Sequence, residues 1–496
     1  MKNNKIYTYI LASVVLLFGA TSCDDFLDVN TDPNNPTEVT VDLILPVAQV
    51  YTATQMHADR RINHLGSMMM YNWSESQGFS WYDNEFQYLV NSTFYASIFD
   101  EGYRDPLKQY NLLTELGEGY DNYEAIGLIM KAYHYQLMVD FYGDIPYSEA
   151  LQRSENATPV YDSGSDVYTS LMVDLTAAID LINVAAGSGV AVKPGSDDVM
   201  FGGDMTMWKQ FANTLKVRIL TRLSDMTSMQ GYIQTEFDAI TAEGSGFITA
   251  NVVVDPGYEV SEGKQNPYWD EMGFTPTGDE QLNYRATCAT QYILDYLAST
   301  NDPRISFLYE EPDTGHLGVN QGLEVDENYA PELVSNIGPG ILKSATMGDI
   351  IFTLAESNFN RAELALKGFG GDPQTLYEAG ISAAFVTLSH GAAVLTSADA
   401  IAYYSQNINN VNYAGSANKL EAIITQKWLA VNGLTAEQSW FDYSRTGFPS
   451  NLPISAQAST TDRPVRLFYP ASESASNASN VPDQPNAFSD KIFWAN

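Results

Sequence analysis

Cysteine, basic residues, histidine and long apolar runs are all scarce in this sequence, and each shortage excludes a class of protein. Two cysteines, Cys23 and Cys288, in 496 residues cannot supply a disulfide framework or a thiolate zinc site. Twenty-five Lys and Arg stand against 61 Asp and Glu, a formal charge of -36. A polyanion of that strength repels nucleic acid phosphates and anionic lipid headgroups, so nucleic acid is not expected as a partner. The five histidines, His57, His64, His134, His316 and His390, include no His-Glu-x-x-His pair. Neither Gly-x-Ser-x-Gly nor a phosphate-binding glycine loop occurs in a recognisable context, and nothing marks any carboxylate pair as that of a glycosidase. The expectation is a protein that is not an enzyme, with no cofactor and no assigned metal. Calcium stays open because of the acid content, without a ligand loop of recognisable spacing; a solvated, aggregation-resistant surface accounts for the same acids.

The amino terminus carries a different kind of information. Lys2 and Lys5 precede an apolar run from Ile10 to Ala20, and the small residues Ala20-Thr21-Ser22 precede Cys23. That is the layout of a cleaved export signal. The run is eleven residues long, whereas a helix needs about 20 to cross a hydrocarbon core, and no later stretch has eighteen consecutive apolar residues. A thiol directly after the small residues is what a lipoprotein signal peptidase requires. Residues 1–22 therefore read as a lipoprotein signal peptide, Cys23 as the lipidated residue, and 23–40, with its run of Asn, Asp and Pro, as a tether. Losing residues 1–22 removes two lysines and no acid, leaving 23 basic against 61 acidic residues, a charge of -38. Cys288 is then without an intrachain partner and reads as a small buried side chain.

From residue 41 onward, helical periodicity dominates. Apolar positions three and four apart predict helices over 41–59, 122–141, 165–183 with Ser165 as N-cap, 204–226, 346–367, 374–389 and 417–432. Helix pairs joined by short polar turns suggest an array of hairpins, although no period of 34 residues can be read. Residues 246–345 differ in kind: Gly, Pro, Asp and Asn recur, and 247–254 is the best short strand. Long irregular segments inside a compact domain are commonly functional. The expectation is a single mainly α domain over 41–496, with 246–345 as a loop-rich insertion.

Five blocks, in order along the chain, carry a family resemblance. They are Ser22-Cys23-Asp24-Asp25-Phe26-Leu27-Asp28, the stretch Asp140-Phe141-Tyr142-Gly143-Asp144-Ile145-Pro146-Tyr147, Trp208-Lys209-Gln210-Phe211-Ala212-Asn213, Asn358-Phe359-Asn360-Arg361-Ala362-Glu363, and Trp440-Phe441-Asp442-Tyr443-Ser444-Arg445-Thr446-Gly447. Together they resemble the SusD/RagB family of surface nutrient-binding lipoproteins of Bacteroidetes. Physically the blocks read as scaffold: Gly143 and Pro146 end a helix, and Arg361, Glu363, Asp442 and Arg445 are placed to form ion pairs between helices. The resemblance implies tetratricopeptide-like helical hairpins with additional helices and a loop-rich ligand face. It also implies an outer-membrane lipoprotein facing the cell exterior, which captures an oligosaccharide or polysaccharide and delivers it to a SusC-like TonB-dependent transporter. A binder of peptides or other nutrients on the same scaffold, and a surface adhesin, are the alternatives.

Sugar recognition needs a flat aromatic face for the ring and planar polar groups for the hydroxyls. The densest such stretch is 71–85, from which Trp73, Glu75, Trp81, Tyr82 and Asn84 are the candidate ligand-binding residues; Trp73 and Trp81 serve equally well as core residues. A second stretch, Asn266-Pro267-Tyr268-Trp269-Asp270 with Asn283-Tyr284-Arg285, adds Trp269 and Tyr284.

Overall fold

The computed structural model describes residues 40–58 and 60–495. The signal peptide, Cys23 and the tether lie outside the described residues. Ile44–Asn496 form one unit of contacts, distinct from Met1–Leu43.

The architecture is mainly α, built on helical hairpins. In chain order the principal helices are α1 (Val41–His57), α2 (Ile62–Met69), α3 (Asp121–Tyr142), α4 (Gly164–Ser188), α5 (Met205–Leu223), α6 (Gln230–Glu243), α7 (Pro267–Met272), α8 (Leu354–Leu366), α9 (Pro373–Leu388), α10 (Lys419–Val431) and α11 (Glu437–Thr446). Four short strands, β1 (Trp73–Glu75), β2 (Val252–Val254), β3 (Thr287–Ala289) and β4 (Asp349–Phe352), make two antiparallel pairs, β1 with β3 and β2 with β4.

Helix α3 is buried on nearly every face, as its even spread of Ala, Ile, Met, Tyr and Leu demands. Gly143 ends it in a positive-φ conformation. The chain returns as α4, which buries Val167, Leu171, Leu175, Ala178 and Ile182 along one stripe and leaves Val173 and Val184 exposed. Its cap is Ser163, not Ser165: the Ser163 hydroxyl accepts from the Asp166 N–H, while Gly164 N–H donates to Asp144 and so starts the helix earlier. Among the described residues α4 alone is long and apolar enough to cross a membrane by composition, and its apolar stripe packs on α3. Helices α8 and α9 form a second hairpin.

Two departures from the sequence reading have a common cause in tertiary contacts. The helix expected over 346–367 begins only at Leu354, because Asp349–Phe352 pairs with Val252–Val254 and Thr353 caps the helix behind it. Helices α2, α6, α7 and α11 are additional to those expected. Helix α11, Glu-Gln-Ser-Trp-Phe-Asp-Tyr-Ser-Arg-Thr, is polar in sequence yet almost wholly buried.

A network of buried charges explains how that is possible. Asp442 of α11 receives Arg222 of α5 at 2.5 Å, Lys427 of α10 at 2.7 Å and Arg445 of α11 itself at 3.5 Å. Arg445 continues to Glu363 of α8 at 2.7 Å, and Arg222 continues to Asp140 of α3 at 3.5 Å. Burial alone would push the Asp442 carboxyl up, but Lys427, Arg222 and Arg445 hold it far below the usual carboxylate range. Arg361, expected among the ion pairs, instead stacks over the Phe247 ring at 4.5 Å and bonds Asn358. A second point of close approach joins α2 to α11: a Cβ on Gly66 would meet the Glu437 nitrogen at 2.0 Å.

Removing one partner of a buried pair strands the others without compensation, which costs about 3–5 kcal/mol. Asp442→Asn, which keeps the shape of the side chain, is expected to lower the unfolding free energy by about that amount, measured by urea unfolding followed by tryptophan fluorescence. A loss within experimental error of zero would show that the network does not hold the helices together.

Candidate functional site

The strand pair β1–β3 decides where the two candidate stretches lie. Its register sets Trp73 opposite Ala289, Ser74 opposite Cys288 and Glu75 opposite Thr287. The ladder continues past the strands, with Ser76 N–H donating to the Ala286 carbonyl and the Ser76 hydroxyl to the Arg285 carbonyl. Residues 71–85 and 282–289, some 200 positions apart in the chain, are thereby stitched edge to edge.

The candidate residues then divide by burial. Trp73 and Tyr82 are 1% and 0% exposed, and both pack on the His64 ring, whose centroid lies 5.6 Å and 5.0 Å from theirs. Tyr82 also bonds the Thr287 hydroxyl at 2.7 Å. These two rings are therefore core, correcting the expectation of direct ligand contact, because each closes the hydrophobic space beneath the β1–β3 pair. Burial, reinforced by the Arg60 charge, lowers the His64 pKa to about 3, so the imidazole between them is neutral. Tyr284 is also buried; its hydroxyl donates to Glu310 and its ring packs on Phe274. Cys288 is completely buried, as its composition suggested.

Trp81 has the opposite placement: its indole is 37% exposed and meets the Phe79 ring edge-on at 4.9 Å. Its backbone is pinned on both sides, N–H to the Glu75 carboxylate at 2.6 Å and carbonyl to the Arg60 guanidinium at 3.5 Å. Arg60 itself has a positive φ of 51°, rare for a residue with a side chain. A cavity of about 340 Å³ opens beside the indole, lined by Arg60, Trp81, Glu271 and Asn283. Asn283 donates to Glu271. Trp269 lies half-buried on α7, within a run of packed rings from Trp269 to Phe274 at 5.3 Å and on to Tyr284 at 5.0 Å. Asn84 is exposed on the short helix Asp83–Phe86 and does not line this cavity. A second cavity of about 340 Å³ lies against Glu75, Gln77, Phe79, Ser80 and Asp83.

Helix α7 is fastened from below. Asn266 caps it by accepting from the Trp269 N–H, and Tyr268 stacks on His57 of α1 at 4.6 Å. His57 places Nδ1 2.6 Å from an Asp349 oxygen and Nε2 2.6 Å from the Leu434 carbonyl. Both neighbours are acceptors, so both ring nitrogens carry protons. Burial opposes that charge, yet Asp349 and the Leu434 carbonyl raise the imidazole above its ordinary value.

Arg60, Phe79, Glu271 and Asn283 were not singled out from sequence. Asn283 and Glu271 stand beside Tyr284 and two residues after Trp269, so proximity to the flagged aromatics was the available signal. Arg60 gave none. The site offers an indole, a guanidinium, an amide and a carboxylate, a set that suits binding of a polyhydroxylated ring. Among the described residues no group of three His, Cys, Asp or Glu side chains is placed to hold a metal ion.

A family model described as SusD-like, starch-binding associating with outer membrane, matches residues 33–470. The chain belongs to this family. Among solved structures, a chitin-binding SusD homologue from Flavobacterium johnsoniae superposes with a TM-score of 0.72 at 23% identity, covering 91% of this chain and 98% of that one. A SusD homologue from Bacteroides fragilis gives a TM-score of 0.73 at 20% identity, covering 92% and 99%. A SusD/RagB family protein from Bacteroides thetaiotaomicron gives 0.72 at 19% identity, covering 92% and 99%. Identities this low speak for the shared fold alone. No curated protein matches the chain. The SusD-like family comprises binding proteins associated with the outer membrane, not enzymes.

Burial, with help from Asp83 and Glu85, raises the Glu75 carboxyl from 4.5 to about 7. A group held above its unfolded value favours the folded state when protonated; that contribution is complete below pH 4.5 and disappears as pH rises through about 7. Glu75→Gln keeps an acceptor for the Trp81 N–H and cannot ionise. Its unfolding free energy should therefore fall less steeply than that of the unaltered protein across this window, as read by urea unfolding at several pH values. Parallel pH profiles would refute the assignment.

Proposed function

We propose that this SusD-like protein captures a glycan at the Trp81 cavity and passes it to a SusC-like TonB-dependent transporter of the outer membrane. The observation that carries the reading is the exposed indole of Trp81, fixed by Glu75 and Arg60, at the mouth of a cavity whose other walls are Glu271 and Asn283. An aromatic face takes the C–H side of a sugar ring, and the guanidinium, carboxylate and amide take hydroxyls as donors and acceptors. Asn84, three residues after Trp81, and Trp269, two residues before Glu271, are secondary contacts in the proposal. The starch-binding description of the family and the chitin-binding relatives make α-linked glucose and β-linked N-acetylglucosamine oligomers the first ligands to test.

In this reading Cys23 carries the lipid that holds the protein on the outer face of the outer membrane, and the acidic residues Asp24 and Asp25 after it are similar to an outward-sorting signal. Capture at the cavity is then followed by handover as the protein closes over the transporter.

Trp81→Ala should weaken saturable glycan binding by about tenfold or more, equivalent to about 1.4 kcal/mol, in calorimetric titrations against those oligomers. Unchanged affinity would place the ligand elsewhere. For the anchor, Cys23→Ala should move the protein from membrane to soluble fractions; retention in the membrane fraction would mean that something other than lipid is the main tether.

A further inference from the structure

A cavity larger than the one beside Trp81 lies elsewhere among the described residues. It has a volume of about 530 Å³ and lies between the α8–α9 hairpin and residues 249–251, with Lys343 in its wall. A smaller cavity of about 260 Å³ adjoins it, and Asn251 and Lys343 line both.

Lys343 is unusual in so acidic a chain. It is half-buried, and among the described residues no carboxylate lies within ion-pair distance of its ammonium. Its Nζ donates to the Thr387 carbonyl, which leaves two of its three N–H donors without a protein acceptor. Burial lowers its pKa, and no acid counters that effect. Lys131 and Lys216 are also pulled down by burial, but each has acids nearby that pull it back up. The nearest acid in the smaller cavity, Asp349, is already engaged by His57.

The amides in the wall are not equivalent. Asn251 is engaged within the protein at both ends: its carbonyl accepts from the Leu354 N–H at 2.9 Å and its NH₂ donates to the Thr387 hydroxyl at 3.1 Å. Asn358 has its carbonyl taken by Arg361, so its NH₂ is the end left to donate. The polar groups left to a ligand are the Lys343 ammonium and the Asn358 NH₂ as donors, the Ser382 hydroxyl, which donates to the Glu378 carbonyl and can accept, and the Thr249 hydroxyl, which can do either. Apart from the hydroxyl residues Thr249, Ser382 and Thr387, the wall is methyl-bearing: Ala250, Leu354, Ala379, Ala383 and Val386.

We propose that this cavity is a second ligand site, separate from the Trp81 cavity, which binds a small organic carboxylate through Lys343 and Asn358. An ammonium with no carboxylate partner calls for an anion, and a single unpaired positive charge is balanced by a monoanion rather than by a phosphate dianion. The methyl-bearing walls require an organic body, and the volume falls in the range of about 300–1,000 Å³ typical of small-ligand pockets. An acidic sugar and the carboxyl end of a short peptide share this chemistry.

The test is calorimetric titration of the mature protein with digalacturonate and with N-acetyl-dialanine, each beside its uncharged counterpart, the methyl ester and the carboxamide, and with inorganic phosphate. At least one free carboxylate is expected to bind saturably while its uncharged counterpart does not, and the responding arm says whether the body is sugar or peptide. Lys343→Gln should weaken that binding by about tenfold or more, Lys343→Arg should retain most of it, and Ala379→Leu should abolish it by filling the cavity. Thermal unfolding of each variant confirms that it folds. Glycan affinity at the Trp81 cavity should be unaltered in Lys343→Gln, so the two sites stand or fall separately. Failure of both carboxylates to bind, equal binding of phosphate, or indifference to Lys343→Gln would each overturn the assignment.

Discussion

Asp442 is the point on which the helices converge. One carboxylate draws in Arg222 from α5, Lys427 from α10 and Arg445 from its own helix, and those cations reach on to Asp140 of α3 and Glu363 of α8. In a low-dielectric interior such groups are costly singly and stable only as a set, which makes the mutual placement of the helices close to all-or-none. Apolar packing would tolerate a helix sliding by a fraction of a turn; a carboxylate shared by three cations does not. The rigid body against which the loop-built face is assembled follows from that constraint.

The face itself depends on two smaller devices. The β1–β3 pair brings residues some 200 positions apart in the chain into one edge, and the doubly bonded His57 fastens the ground beneath α7 by pairing with Asp349 while Tyr268 stacks on its ring. Trp81, Glu271 and Asn283 sit on short elements with little internal stability of their own. Their arrangement is inherited from buried neighbours such as Trp73, Tyr82 and Tyr268, which is how a loop-borne face can be held in a fixed geometry.

Helices with an apolar stripe, such as 122–141 and 165–183, could be read from residue spacing, and their ends moved by only a few residues. Helix α11 could not, because its buried face is polar and becomes compatible with the interior only when partners from four other helices arrive. The start of α8 was misplaced for a related reason: Asp349–Phe352 has no local preference strong enough to separate it from the following helix until β2 pairs with it. In the candidate site, aromatic density singled out a neighbourhood but not which of its rings face solvent. Trp73, Tyr82 and Tyr284 are as aromatic as Trp81, and only the direction of the chain through β1 and β3 sends three of them inward and one outward.

Composition and the order of the family blocks pointed to the family and the mainly α class by themselves, because residue content, block order and helix periodicity are properties of residues and their near neighbours. Membership of the SusD-like family belongs to that level. Which indole meets solvent, which carboxylate is shared among cations, and which lysine is left without a partner were decided only by tertiary structure. Burial and pairing join residues hundreds of positions apart, and no local pattern in the chain records whether a partner will be there.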